Sequence, residues 1–306
     1  MGLETKKKDY VAPQGGSDIM LDGLRKHVGI PEDVNIIMSV CDEKMIKSGM
    51  KNIVWQHLSY DQEFTQGLQD KYFLRQVDTF VYISHWQHEK FRYMHRIPLH
   101  NSVVIKNAIE PIEFIERPKG EKKKLIYTSA PFRGLDILLD SFELLNRDDI
   151  ELDVYSSTIM YGSDYAEYTG NQYDPIFDKA RSLKGVNYKG YASNDEVKKA
   201  LQSSDIFAYP SIFEETCCLA MVEAGAAGCQ MVTTNIGALA ETGSEFATLV
   251  PIQASREEIV SSYAQALNDA IDNPKSLDSL KLQSDFYNAN YSWENRKKDW
   301  EKLFTS

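Results

Sequence analysis

The sequence predicts an α/β chain made of two parallel-sheet domains. Three observations carry that expectation. Short β-branched or apolar runs alternate with amphipathic helical stretches, which reads as repeated βα units. The alternation stops at Pro111, Pro118, Gly120 and the charge run through Lys124, then resumes. And 306 residues with 42% hydrophobic and 26% charged side chains is enough for two globular cores. The expected division is an N-terminal domain over 1–110, a linker over 111–123 and a C-terminal domain over 124–290.

In order along the N-terminal half, Asp9 to Ala12 is expected as a short strand, leading through Pro13-Gln14-Gly15-Gly16-Ser17 into a helix from about Asp18 to His27. Val34–Val40 and Asn52–Gln56 are strand candidates by β-branched and apolar content. Glu63 to Arg75 reads as helical. Thr79–Ser84 reads as a strand that runs into a helix through Tyr93, and Ser102–Ile105 closes the unit. In the second half, Leu125–Thr128, Glu151–Tyr155, Val186–Tyr188 and Ile206–Tyr209 are strands. Gly134–Leu145 and Asp174–Leu183 are helices between them. Ser193-Asn194-Asp195-Glu196 and Ser255-Arg256-Glu257-Glu258 are capping boxes, the second opening a long helix to Asn273. Tyr291 to Phe304 is an amphipathic helix carrying Trp293, Trp300 and Phe304. Ligands of parallel sheets bind at the carboxyl ends of the strands, so the polar residues there are the candidates for function.

Composition narrows the partners. With 34 basic and 45 acidic residues the net charge is -11, which gives no global attraction to nucleic acid. Lys6-Lys7-Lys8 and the cluster Lys119 to Lys124 read as a solvated arm and a solvated linker, with at most peripheral membrane contact. No apolar run approaches the ~20 residues of a membrane span, and no signal-peptide core is legible. Cys41, Cys217, Cys218 and Cys229 form no C-x-x-C pair, which suits reduced cytoplasmic thiols and no zinc site.

The segment Pro210-Ser211-Ile212-Phe213-Glu214-Glu215-Thr216-Cys217-Cys218-Leu219-Ala220-Met221-Val222-Glu223-Ala224 is the most informative. It lies between the strand ending at Tyr209 and a helix expected from about Cys217 to Ala227. Eight residues of helix at ~1.5 Å rise would part Glu215 from Glu223 by ~12 Å, roughly on one side. That span suits a nucleoside diphosphate sugar, with one carboxylate on sugar hydroxyls, one on the ribose diol and the diphosphate between. The helix N-terminus offers unpaired N–H groups and the positive end of its dipole to that diphosphate. Spacing alone is also compatible with an ordinary strand–loop–helix unit in which Glu complements the dipole. Arg133, between a strand and a helix, can neutralise charge growing on a leaving diphosphate, or be a plain surface turn residue.

The wider pattern decides between these readings. Pro-Ser before the acidic pair, the E-x7-E spacing of Glu215 and Glu223, the small run Gly225-Ala226-Ala227-Gly228, and Gln230 to Glu241 resemble the donor-site motif of retaining glycosyltransferase family 4, the group 1 glycosyltransferases. The resemblance is strong from Leu125 to Glu241, and weaker at Val103–Ile109 and Tyr291-Ser292-Trp293-Glu294. It implies the GT-B fold: two Rossmann-like domains facing across a cleft, here with a short N-terminal domain. The C-terminal helix, 291–306, is implied to pack back on that first domain. It also implies that Arg133 binds the diphosphate, that Gly15 and Gly16 bring backbone close to donor phosphate and sugar, and that His57 contacts the sugar near the reacting carbon. Backbone N–H groups of Thr216, Cys217 and Cys218 join Arg133 at the diphosphate, and Tyr191 lies near the nucleobase. Many members carry a second Arg where this chain has Thr128-Ser129, so one cation fewer faces the donor and Ser129 stands in its place.

These implications give the expected function: a metal-independent, cofactor-free retaining transferase. It moves a hexose-type sugar from a UDP- or GDP-sugar to a glycan, a lipid-linked glycan or another hydroxyl acceptor. The alternatives are a non-catalytic nucleotide-sugar-binding or scaffold subunit of a glycosylation complex, motivated by the short first domain and missing cation, and a nucleotide-sugar epimerase.

Overall fold

The computed structural model describes residues 15–117, 120, 122–159 and 162–306. The strand expected over Asp9 to Ala12 and the basic arm Lys6–Lys8 lie outside the described residues.

The first half contains α1 (Gly16–His27), β1 (Val34–Met38), β2 (Lys51–Gln56), α2 (Lys71–Gln76), β3 (Thr79–Tyr82), α3 (His85–His95) and β4 (Ser102–Val104). Its four strands form a parallel sheet in the order β1-β2-β3-β4. The second half runs β5 (Lys123–Thr128), α4 (Leu135–Leu145), β6 (Ile150–Tyr155), α5 (Ser163–Thr169), α6 (Asp174–Ser182), β7 (Val186–Tyr188), α7 (Asn194–Gln202) and β8 (Ile206–Tyr209). It continues with α8 (Leu219–Ala226), β9 (Gln230–Thr234), α9 (Leu239–Gly243), β10 (Ala247–Val250), α10 (Arg256–Asp272), α11 (Leu277–Asn290) and α12 (Trp293–Thr305). Its six parallel strands are ordered β10-β9-β8-β5-β6-β7. Two parallel sheets of this kind, wrapped by helices, are the GT-B architecture of two Rossmann-like domains.

Burial explains the strand sequences. β8 and β9 are buried along their whole length, and so is β2 after Lys51, because helices cover both sheet faces. In the first sheet, Met20 and Leu24 of α1 join Trp293 and Trp300 of α12 on one face. Phe73 of α2 and Phe91 of α3 pack on the other. The last helix therefore crosses back onto the first sheet. Gly23 makes room for it, since a Cβ there would lie 2.0 Å from the Trp293 ring. Both capping boxes form, at Ser193 with Glu196 and at Ser255 with Glu258.

Four departures from expectation have physical causes. Glu63–Arg75 is not one helix. A 3-10 segment, Glu63–Gln69, gives way to α2 at Asp70, whose carboxylate caps Tyr72 N–H. The segment is pinned to the end of β1, where Cys41 N–H donates to the Phe64 carbonyl and a Cβ on Gly67 would overlap the Cys41 carbonyl. α8 begins at Leu219, not Cys217, because Cys218 is extended and serves as the cap. β1 ends at Met38, and Ser39 takes a positive φ of 63°. Finally, α5, α9, α11 and β10 are additional elements. α11 hides from periodicity because its buried face is partly polar. Gln283 donates to the Gly225 and Cys229 carbonyls and Ser284 to that of Ala226.

Candidate active site

The site is built on the loops that leave the carboxyl ends of the strands. The loop after β5 is folded tightly against the loop after β8. Gly134 takes φ +88°, and a Cβ on it would stand 2.0 Å from the Pro210 carbonyl oxygen. Only glycine tolerates both the backbone angle and the approach. This packing sets the preceding residue, Arg133, beside Glu215, where the two form an ion pair. The guanidinium carbon lies 4.5 Å from the Phe213 ring centroid and 5.4 Å from that of Phe132, so cation–π contacts hold it beside the ion pair.

Glu215 is 5% exposed. Its Oε1 accepts from Arg133 and, at 2.6 Å, from the Tyr209 hydroxyl. Its Oε2 accepts no hydrogen bond from the described residues. The backbone of Glu215 is fixed from the β9 loop: Ala238 N–H donates to its carbonyl at 2.7 Å, and Gly237 approaches so closely that a Cβ would sit 2.5 Å from Glu215 N. Burial and the adjacent carboxylate push the Tyr209 phenol well up, so it stays a donor.

Glu223, one turn into α8, contrasts with Glu215. Among the described residues it has no hydrogen-bond or ion-pair partner, and burial pushes its carboxyl up to about 7, with Lys198 of α7 pulling weakly the other way. A half-buried carboxylate without a partner is costly and asks for a ligand. Other unpartnered buried polar atoms lie at strand ends: Thr128 Oγ1 on the last residue of β5, Ser156 Oγ after β6, His57 Nε2 after β2 and Asn107 Oδ1 after β4.

The two halves meet here. The Thr216 hydroxyl donates to the His57 carbonyl at 2.9 Å. A Cβ on Gly16 would lie 3.3 Å from Leu219 Cδ1, so the N-terminus of α1 stands against the N-terminus of α8. Two positive helix ends therefore converge. Among the described residues nothing accepts from the N–H groups of Thr216, Cys217 or Cys218, whereas Gly15 N–H is bound by Asp18 Oδ2 at 3.2 Å. His57 packs edge-on to Trp55 with centroids 4.8 Å apart, and burial lowers its imidazole to about 3. At neutral pH it is an uncharged hydrogen-bonding group. The Cys217 thiol is pushed up to about 12 by burial and Cys218 is raised as well, so both stay protonated and neither is a nucleophile.

The structure thus brings together Arg133, Glu215, Thr216, Cys217, Cys218, His57, Gly15 and Gly16. Ser129 is turned inward, its Oγ 3.4 Å from the Tyr209 hydroxyl. Tyr191 stands apart and 45% exposed, just before α7, the helix that carries Lys198. Tyr209, Ser156 and Asn107 were not singled out from sequence, and Thr128 was named only as a departure from the resembled pattern. A polar residue at the carboxyl end of a buried strand was the available signal for the last three.

The family model for group 1 glycosyl transferases matches residues 109–293. The chain belongs to that family. Among solved structures, this group 1 glycosyl transferase is similar to a glycosyltransferase from Rickettsia africae ESF-5, with TM-score 0.68, 14% identity, 97% of this chain and 83% of that one covered. It is similar to the pneumococcal O-GlcNAc transferase GtfA in complex with UDP and GlcNAc, with TM-score 0.64, 12% identity and coverage of 95%. It spans only 60% of that longer chain. It is also similar to Anabaena HepE in complex with UDP-glucose, with TM-score 0.62, 15% identity, 84% of this chain and 72% of that one covered. These likenesses show the fold. No curated protein matches the sequence.

Proposed function

We propose that this chain transfers a hexose-type sugar from a UDP- or GDP-sugar to a hydroxyl acceptor of glycan type, with retention and without a metal. The observation that carries the reading is the pairing of opposites in one loop-and-helix unit. Glu215 is held rigidly by Arg133 and Tyr209 at one end, and Glu223 stands unpartnered at the other. The open N–H groups of Thr216 to Cys218 lie between them in sequence.

In this reading Glu223 accepts from the ribose diol, which gives its carboxylate the partners that burial demands. The diphosphate takes the N–H groups of the α8 terminus and the Arg133 guanidinium, which supply the positive charge a metal would otherwise provide. Oε2 of Glu215 and the neutral His57 ring hold the sugar. The bond between the anomeric carbon and the diphosphate oxygen breaks, and its electron pair leaves with the diphosphate. The acceptor oxygen attacks the same face and gives its proton to the departing diphosphate. The nucleotide and sugar bound in the GtfA structure, and the UDP-glucose in that of HepE, support this choice of donor class.

A thermal-shift panel of UDP-, GDP- and ADP-sugars tests it, with Glu223→Ala as control. A ligand that binds only the folded state stabilises it by mass action. A shift with one nucleotide sugar, lost in the variant, is the expected result. No shift with any of them would sink the transferase reading and favour the scaffold reading.

A further inference from the structure

The cleft has a second furnished wall, on the side of the first sheet covered by α2 and α3. Tyr60, in the loop after β2, and Trp86, in the first turn of α3, place their ring centroids 6.4 Å apart at 60°. Lys90, one turn further along α3, sets its Nζ 5.2 Å from the Tyr60 centroid and 5.4 Å from that of Trp86. The same Nζ lies 3.9 Å from Glu214, the residue before Glu215. Burial and the nearby Glu214 carboxylate raise the Tyr60 phenol. Tyr60, Trp86, Lys90 and Glu214 are all half-exposed.

The wall is rigid. His95 Nε2 meets the Tyr60 carbonyl at 2.7 Å, and Gln87 Nε2 donates to the carbonyls of Gln56 and Leu58 at 3.1 and 2.9 Å. The backbone N–H groups of His85 and Trp86 are tied to Glu241 of the second domain at 2.8 and 3.1 Å. Both loops leave the strand ends where Thr216 meets His57. The donor loop therefore runs from this wall, at Glu214, to the α1 terminus, at Leu219.

We propose that Tyr60, Trp86, Lys90 and Glu214 form the acceptor subsite and that it receives a neutral sugar ring. This rests on the transferase reading above. Aromatic side chains bind the C–H face of a pyranose by apolar contact and leave its hydroxyls to polar neighbours. Lys90 is such a donor and Glu214 such an acceptor, and their charges cancel. A phosphate or carboxylate on the acceptor would gain nothing at a compensated pair, which argues against an anionic acceptor. The adjacency of Glu214 to Glu215 brings an acceptor hydroxyl on this wall toward the donor sugar.

The test uses the full chain and the nucleotide sugar that stabilises it. The probes are p-nitrophenyl glycosides of glucose, galactose, mannose and N-acetylglucosamine, against p-nitrophenyl glucuronide and glycerol. Trp86→Ala should raise the KM of the preferred neutral glycoside by about tenfold or more while kcat moves by less than about threefold. Trp86→Phe, which keeps a ring, should stay within about threefold of wild type in KM. The donor-induced thermal shift reports that each variant is folded. Lys90→Met should raise the same KM without removing an aromatic face. An unchanged glycoside KM in both Trp86→Ala and Lys90→Met would overturn the proposal. So would a preference for the glucuronide, or wild-type enzyme that hydrolyses donor yet transfers to none of the neutral glycosides. A wild type that neither binds nor hydrolyses any nucleotide sugar would instead sink the transferase reading, and the subsite with it.

Discussion

Replacing Glu223 by Gln separates what the residue does for folding from what it does for the donor. Its carboxyl is raised from 4.5 to about 7 by burial. Between those values the folded chain holds a proton that the unfolded chain has lost, so stability falls as pH rises through that window. At about 1.36 kcal/mol per unit, the accumulated penalty above pH 7 is about 3 kcal/mol. An amide of the same shape carries no such penalty. Glu223→Gln should therefore be more stable than wild type at pH 8 by up to about 3 kcal/mol, or about 5–10 °C in Tm, and equal to it near pH 4.5. His57 acts with the opposite sign. Its imidazole is lowered from 6.5 to about 3, so the unfolded chain takes the proton first and stability falls as pH falls through that window. The two slopes oppose each other where the windows overlap, between about 4.5 and 6.5. Wild-type Tm should be nearly flat there, and the Glu223→Gln profile should rise with pH because the slope of the lowered imidazoles, His57 with a contribution from His88, is no longer opposed. Differential scanning fluorimetry from pH 4 to 8.5 reads both. A variant no more stable than wild type at pH 8, or a Tm profile parallel to it, would refute the argument. The same variant should lose the nucleotide-sugar shift, gaining stability at the expense of the site.

Other expectations follow from the same geometry. Glu215→Ala should lower kcat by at least about a hundredfold, since the group that holds the sugar is gone. It should also cost about 1–3 kcal/mol, because it removes the buried acceptor shared by Arg133 and Tyr209; near-normal turnover in a steady-state assay would contradict the role. Gly134→Ala should cost about 2–4 kcal/mol in urea unfolding, as its Cβ meets the Pro210 carbonyl at positive φ. It should also weaken donor binding by displacing Arg133. Trp300→Ala should cost about 3–5 kcal/mol, because the ring is fully buried between α12 and the first sheet.

The βα alternation was legible because parallel strands covered on both faces must be continuous apolar runs, as at Ile206–Tyr209. The capping boxes at Ser193 and Ser255 were legible because a cap is a local contract between residues three apart. α11 was not, because Gln283 and Ser284 satisfy carbonyls of α8 and thereby break the apolar stripe that periodicity needs. The short helix expected at Cys217 was trimmed by an extended Cys218, a conformation fixed by packing.

At the site, the sequence by itself determined which chemistry is present: two carboxylates at E-x7-E spacing, a cation before a glycine, and a histidine at a strand end. Their meaning to one another was decided only in three dimensions. Sequence spacing treats Glu215 and Glu223 as equals. The fold gives one an ion pair and a phenol 2.6 Å away and leaves the other unpartnered in a half-buried place. Tyr60, Trp86, Lys90 and Glu214 belong to three separate segments, and no local pattern joins them. The reason is physical: caps, strands and helix faces are set by neighbours in the chain, whereas desolvation and ion pairing depend on which distant loops share a sheet edge.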